Sequence, residues 1–298
     1  MDLSSKKEER VSYIILVLPA LVIYFAVMAF PTIFSVILSL TNYNGGRVFG
    51  NPNFRLVGLK SYVEIFHNNY FYLALKNNLL IVLISVFGQL PLGFILAYIL
   101  SRKMVRNVDF FQTMIYLPNV ISPVIIGILF KSFYWNSDSV YMEILRSINP
   151  NATYNVLEHP MIPVLVVMLW MYTGMYVIVF LANIQRIDVS IIEAAKIDGA
   201  TEVQTLWHII LPALSGVIVT CAILAISGSL KSFDLLYVMT NGGPAGKTRV
   251  LSLFMYDMAF RGSPNYPLAN AISTVMVLIS FALIGITRAA EAKFGGKE

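Results

Sequence analysis

Six stretches of this chain run long and almost free of charge, and they limit its fold more than any other feature. They are Val11–Leu40, Leu73–Leu100, Thr113–Phe133, Met161–Ile184, Ala213–Leu236 and Ala269–Thr287. About 20 apolar residues carry a helix across the hydrocarbon core of a bilayer. Once backbone groups lose water, an open chain can span that core only as helix. The pattern therefore predicts an all-α polytopic membrane protein with about six transmembrane helices. Composition agrees, with 57% of residues hydrophobic and only 12% charged; soluble domains carry roughly 25% charged residues.

The first stretch is too long for one straight crossing, at about 45 Å for 1.5 Å per residue. It must tilt, kink or project beyond the membrane, and Pro19 and Pro31 are the expected kink points. Lys6, Lys7 and Arg10 resemble the basic start of a signal peptide. The run that follows is far longer than a signal core, however, so it is expected to stay as a span.

Lys and Arg near the span ends set orientation. With both termini in the cytoplasm, Lys6, Lys7, Arg10, Arg102, Lys103, Arg106, Arg186, Lys196, Arg288, Lys293 and Lys297 fall inside. Arg47, Arg55, Lys60, Arg146, Lys247, Arg249 and Arg261 fall outside, spread over longer loops. The expected divisions are a cytoplasmic N-tail over 1–10, a transmembrane permease body over 11–288 and a cytoplasmic C-tail over 289–298. Asn42–Tyr72, Tyr134–Pro160 and the segment after Tyr237 face outward.

Several functional classes find little support. The net charge of +5 comes from dispersed basic residues, which suit topology and anionic headgroups better than nucleic acid. A single cysteine, Cys221, excludes an intrachain disulfide, and His67, His159 and His208 lack metal-ligand spacing. The span centres hold no ionisable residue, which argues against an ion-driven carrier but leaves a stand-alone facilitator open. No serine–histidine–acid set or paired-carboxylate site appears. Asn241–Thr248, NGGPAGKT, imitates a phosphate-binding loop. It has Asn where that pattern starts with Gly and follows a transmembrane helix rather than a strand, so it is expected to be a plain turn.

One stretch is polar where its neighbours are not: EAAKIDGATEVQTLWHIILPA, Glu193–Ala213. Ser190 with Glu193 makes a capping-box pattern, and Asp188 is an alternative N-cap. Gly199 stands where a helix would end in a left-handed residue, and Thr201 with Gln204 offers a second capping box. Val203, Leu206, Trp207 and Ile210 form an apolar stripe, and Pro212 is expected to end the segment. The expected product is a helix, a glycine turn and a helix: a rigid cytoplasmic elbow within about 186–212. Ala194 and Ala195 allow another backbone close, and Glu193 and Asp198 offer charge to a basic partner. Physics alone leaves two readings, a docking lever or an amphipathic pair lying on headgroups.

The run Glu193-Ala194-Ala195-Lys196-Ile197-Asp198-Gly199 followed by Ile209-Ile210-Leu211-Pro212 resembles the E-A-A-x-x-x-G…I-x-L-P loop of bacterial ABC importer permeases. Phe233-Asp234 leading to Thr240-Asn241-Gly242-Gly243-Pro244 resembles a run in the sugar-importing subgroup that includes maltose and glycerol-phosphate permeases. Asn241 departs from the commoner Gly there. The resemblance covers about residues 10–290.

It implies a permease subunit of a solute-binding-protein-dependent importer of a sugar or oligosaccharide, in a bacterial or archaeal cytoplasmic membrane. Glycerol-phosphate uptake remains an alternative. It further implies that the chain is not an enzyme and binds no cofactor, with ATP and Mg held on two ATPase subunits. The other implied partners are a second permease chain or copy, an extracytoplasmic solute-binding protein and the lipid bilayer. The helix about Val189–Ile197 would dock on the ATPase, using Glu193, Ala194, Ala195, Asp198, Gly199 and Pro212 for coupling. Sugars bind through aromatic faces and scattered hydrogen-bonding groups. By analogy with that family the fourth and fifth spans line the cavity, so the resemblance implies a solute path of Trp170, Tyr172, Thr173 and Tyr176 on the fourth span, with Ser229, Ser232 and Phe233 on the fifth.

Overall fold

Proline decides much of the local geometry. The computed structural model describes residues 3–47, 54–135, 139–149 and 158–294. Among them, all regular structure is helical apart from one antiparallel bridge, Thr41 with Leu56. Three helices contain a five-residue π-turn: Phe25–Ala29, Ser85–Gln89 and Leu206–Ile210. Each turn ends two residues before a proline, namely Pro31, Pro91 and Pro212. A proline has no N–H and its ring collides with the carbonyl four residues earlier. Widening the preceding turn relieves that collision without ending the helix. The wide turn is closed in each case by a bond to the fifth residue back, as where the Leu90 N–H donates to the Ser85 carbonyl.

The helices are α1 from Leu3 through its π-turn to Ser39, α2 Lys60–Phe66, α3 Asn69–Ser101, α4 Val108–Val120, α5 Pro123–Trp135, α6 Val140–Ile148, α7 Met161–Ile184 and α8 Val189–Ile197. Then α9 starts at Glu202 and runs through its π-turn to Ala213. The remainder are α10 Ser215–Lys231, α11 Asp234–Met239, α12 Leu251–Phe260 and α13 Tyr266–Phe294. Five spans pass as single crossings, and α4 with α5 gives a sixth if the bent pair is one span.

The departures from the expected spans have physical causes. The third span is not one helix but a pair meeting in a sharp bend at Ile121–Ser122, where Pro123 bars continuation. The first helix starts as early as Leu3, so most of the expected N-tail is helical, and Pro19 lies inside regular helix without a wide turn. Only Pro31 distorts it. Pro212 does not end the elbow, because the π-turn absorbs it; the chain stays helical to Ala213 and the fifth span begins at Ser215. The fifth span also breaks at Ser232–Phe233. Lys297, part of the expected C-tail and parts of the expected Tyr134–Pro160 loop lie outside the described residues.

The chain divides into two compact units, residues 1–68 with 255–275 and residues 69–254 with 276–298. In the first, the Ser35 hydroxyl donates to Asn270 Oδ1 at 2.7 Å and Ser39 meets the Tyr62 hydroxyl at 2.7 Å. Apolar residues along α1, such as Leu16 and Phe25, are exposed, as a lipid-facing helix requires.

The second unit holds the main core. Leu90, Ala97 and Leu100 of α3 pack with Tyr176, Phe180 and Ile184 of α7, Ile210 of α9 and Cys221 and Ala225 of α10. Helices approach closely at small residues. A Cβ at Gly93 would sit 2.8 Å from the Tyr176 Cβ. At Gly174 it would collide with the Ile115 carbonyl and lie 2.9 Å from the Tyr116 Cα. The NGGPAGKT stretch is a turn after helix α11, bonded largely to itself: Thr248 Oγ1 donates to the Gly243 carbonyl at 2.8 Å. Asn77 Nδ2 pins its far end by donating to the carbonyls of Lys247 at 2.9 Å and Arg249 at 2.8 Å.

Candidate functional site

Two features of the second unit hold the sequence-predicted residues: the elbow and a cavity.

The elbow is shaped by short-range chemistry. Asp188, not Ser190, is the N-cap of α8; its Oδ1 accepts from the Ser190 N–H at 2.9 Å. That bond holds the Asp188 carboxyl below its ordinary range. The expected Ser190–Glu193 capping box is not formed. At the other end Gly199 has φ +80°. The Ala200 N–H donates to the Ala195 carbonyl at 2.9 Å and the Gly199 N–H to the Lys196 carbonyl at 3.2 Å, the two bonds of a Schellman turn. A Cβ on Gly199 would meet nothing within 4 Å. Gly199 is thus required for its backbone angle, not for space. Thr201 and Gln204 form the expected reciprocal capping box, with bonds of 3.3 and 2.8 Å.

Glu193, Ala194, Asp198 and Gly199 are all exposed on this elbow and Ala195 is partly so. Val189, Ile191 and Ile197 expose apolar surface beside them, Ile197 to 86%. Within the described residues Glu193 makes no ion pair. The apolar stripe on α9 divides: Ile210 is fully buried and Leu206 partly buried, while Val203 and Trp207 face out.

An ion pair missed from the sequence ties the elbow down. Glu202 accepts from Arg102 Nη2 at 2.6 Å and Nε at 3.1 Å, and from the Tyr98 hydroxyl at 2.9 Å. The Arg102 guanidinium, followed by the Tyr98 hydroxyl, pulls the Glu202 carboxyl below its ordinary range. Its partners lie 100 and 104 residues upstream, so no local pattern could have paired them.

The cavity has a volume of about 400 Å³ and lies among α3, α4, α7, α10 and α11. Of the expected path residues it gathers Tyr172, Tyr176, Ser229, Ser232 and Phe233. It omits two. Trp170 is half-exposed and stands edge-on to Phe130, with ring centroids 5.6 Å apart. Thr173 is buried, and its hydroxyl donates to the Leu169 carbonyl. Sequence reading missed Ser85, Gln89, Asn119, Lys231 and Asp234, which also line the cavity. The polar character of Gln89 in an apolar span was the signal that pointed to it.

The break at Ser232–Phe233 exposes backbone groups that hydrocarbon could not satisfy, and side chains meet them. The Ser229 carbonyl accepts from the Ser232 hydroxyl at 2.8 Å and from Asn78 Nδ2 at 3.2 Å. The Ser232 carbonyl accepts from Ser252 at 2.6 Å. Ser229 also donates to the Ser85 hydroxyl at 2.9 Å, and Gln89 Nε2 donates to the Met168 carbonyl at 3.0 Å. A span broken beside a cavity with polar groups in its wall is an arrangement that transporters use to handle solutes. Among the described residues there is no cluster of His, Cys, Asp and Glu fit for a metal ion.

Helical spans, a solute-sized cavity with polar groups in part of its wall and a capped elbow between two spans define a membrane permease. The family model described as "Binding-protein-dependent transport system inner membrane component" matches residues 89–295, and this chain belongs to that family. The probable ABC transporter permease protein YurN of Bacillus subtilis is 34% identical, over 92% of this chain and 93% of that protein. The multiple sugar-binding transport system permease protein MsmF of Streptococcus mutans is 32% identical, over 90% of this chain and 89% of that one. A chain of a bacterial alginate ABC transporter, crystallised with an alginate pentasaccharide-bound periplasmic protein, shares the fold. Its TM-score is 0.82 at 22% identity, covering 99% of this chain and 98% of that chain.

Proposed function

We propose that this permease imports a sugar or oligosaccharide, delivered by an extracytoplasmic solute-binding protein and driven by ATPase subunits that dock on the elbow. The observation that carries the reading is the elbow: a helix and a counter-helix fixed by Asp188, the Gly199 turn and the Thr201 box, set between two spans. Its exposed Glu193, Ala194, Asp198 and apolar Ile197 give a docking face of charge, small residues and hydrophobic contact. Both termini and the elbow are cytoplasmic in this reading, and α8 seats in a groove of a separate ATPase subunit. Two such subunits and a second permease chain complete the importer. ATP and Mg belong to the ATPase subunits.

The solute reading is supported by the cavity. Tyr172, Tyr176 and Phe233 supply aromatic faces, and Ser85, Gln89, Asn119 and Ser232 supply hydrogen-bonding groups, the mixture sugar recognition needs. MsmF carries a sugar-transport name, and the alginate transporter imports an acidic polysaccharide. Lys231 in the wall would suit an anionic solute such as glycerol phosphate, but Asp234 shares that wall. The balance favours an uncharged solute.

The deciding experiment is extraction of a tagged chain in mild detergent, with identification of what co-purifies. An ATPase and a second permease should follow the wild type, and Glu193→Arg should release the ATPase. A chain that comes out alone and transports sugar in liposomes without ATP would replace this reading with a facilitator.

A further inference from the structure

We propose that Glu202, Arg102 and Tyr98 form a clasp that makes the elbow and the cavity wall one moving part, so that the push on α8 reaches the solute through α3. The proposal rests on the coupling reading above.

The geometry is specific. Three donors from the end of α3 converge on one carboxylate at the first residue of α9, two of them from a single guanidinium. Such a fork fixes orientation as well as distance. An isolated surface pair contributes little to stability, and Glu202 is 58% exposed. Stability is therefore a poor account of a carboxylate held by three donors.

The far end of α9 is held to the same helix. Ile210 is fully buried in the core that includes Leu90, Ala97 and Leu100 of α3. Gripped at both ends, α9 cannot shift without taking the second half of α3 along. That half ends upstream at the π-turn Ser85–Gln89, whose first and last residues line the cavity. Displacement of the elbow thus arrives where Ser85 and Gln89 face the solute. Interfaces packed in this way switch between discrete arrangements rather than stretch.

The test uses the assembled importer in proteoliposomes, with Met175→Cys in the cavity wall as reporter and a small aqueous thiol reagent as probe. The native Cys221 is buried. ATP with vanadate should change the labelling rate by about fivefold, and Glu202→Gln should cut that change below about twofold. ATPase co-purification and hydrolysis should persist in that variant. Arg102→Gln should do the same, and the double variant should be no worse than either, as one shared interaction requires. A full ATP-dependent change in Glu202→Gln, or losses that add in the double variant, would overturn the clasp. If the ATPase does not accompany even the wild type, the coupling reading fails and the clasp with it. If the ATPase stays bound and only the labelling response is unaffected, the clasp alone fails.

Discussion

The elbow and the cavity lie in one structural unit and are built by opposite means. The elbow is held in shape by bonds between residues five or fewer apart: Asp188 to Ser190, Ala200 to Ala195, Thr201 to Gln204. The cavity is held by partners far apart in sequence: Gln89 to Met168, Ser85 to Ser229, Asn78 to Ser229. A part that must be gripped from outside keeps its form without neighbours, whereas a part that must admit solute takes its form from the helices around it. Damage to the first should disconnect the motor and spare the fold. Damage to the second should reach the fold itself.

The sharpest way to break that contrast is at two glycines. Gly174→Leu drives a side chain into the α4 backbone at Ile115 and Tyr116. Overpacking against backbone costs at least about 1–3 kcal/mol. We expect membrane levels of the protein to fall about tenfold or more on immunoblots. Gly199→Val meets no atoms but must hold φ +80°, a conformation costing an L-residue about 1–2 kcal/mol. Its membrane level should stay within about twofold of wild type, while ATP-driven uptake falls about tenfold. Normal uptake by Gly199→Val, or normal levels of Gly174→Leu, would erase the distinction.

Next in size is the solute path. Tyr172→Ala should raise the KM for transported sugar by about three- to tenfold, the worth of one aromatic face, and leave ATPase binding intact. Trp170→Ala, outside the cavity, should change KM by less than about twofold. Equal effects would show that the cavity does not carry the solute.

A smaller effect is expected at the cap. Asp188→Ala removes the bond to the Ser190 N–H and should loosen the start of α8. ATPase pull-down should weaken by a few-fold, and Asp188→Asn should restore most of it.

The smallest effect is with pH. The folded-state pKa of Glu202 is depressed by Arg102 and Tyr98. The contribution of its carboxylate is therefore present above the ordinary carboxylate pKa and is lost only as pH falls through the depressed value. The ATP-dependent labelling change at Met175→Cys should stay flat from about pH 8 to about pH 5 and collapse below the carboxylate range. A loss centred near neutrality would point to a different group.

The same division explains what the sequence let us read. Helix starts and stops are local, so α8 runs Val189–Ile197 and turns at Gly199 as its spacing predicts. Apolar run length likewise placed the spans, and the family resemblance, not periodicity, set the fourth beside the fifth; Tyr172, Tyr176, Ser229, Ser232 and Phe233 line one cavity. Thr173 lies outside the cavity, its hydroxyl bonded to the Leu169 carbonyl of its own helix. Trp170 lies outside the cavity because it stands about 200° round the helix from Tyr172, and on that other face it meets Phe130 of α5. Asp188 outcompeted Ser190 as cap because its carboxylate reaches the second free N–H of the helix from a residue still in extended backbone. The Arg102–Glu202 pair and the Ser232–Phe233 break depend on which helices meet, and a single chain's periodicity does not report that.

The three wide turns have a consequence for how this molecule changes over generations. Each π-turn carries one residue more than the regular helix around it needs. Deleting a single residue from Ser85–Gln89 would let the turn tighten into regular helix with the turns on either side still in phase, but would return the ring of Pro91 to the carbonyl four residues before it. A deletion between Leu90 and Ser101 has no spare residue to absorb it: everything after it would rotate by about 100° about the helix axis and carry Arg102 away from Glu202. Within α3, then, the wide turn tolerates a change of length that the regular turns after it do not.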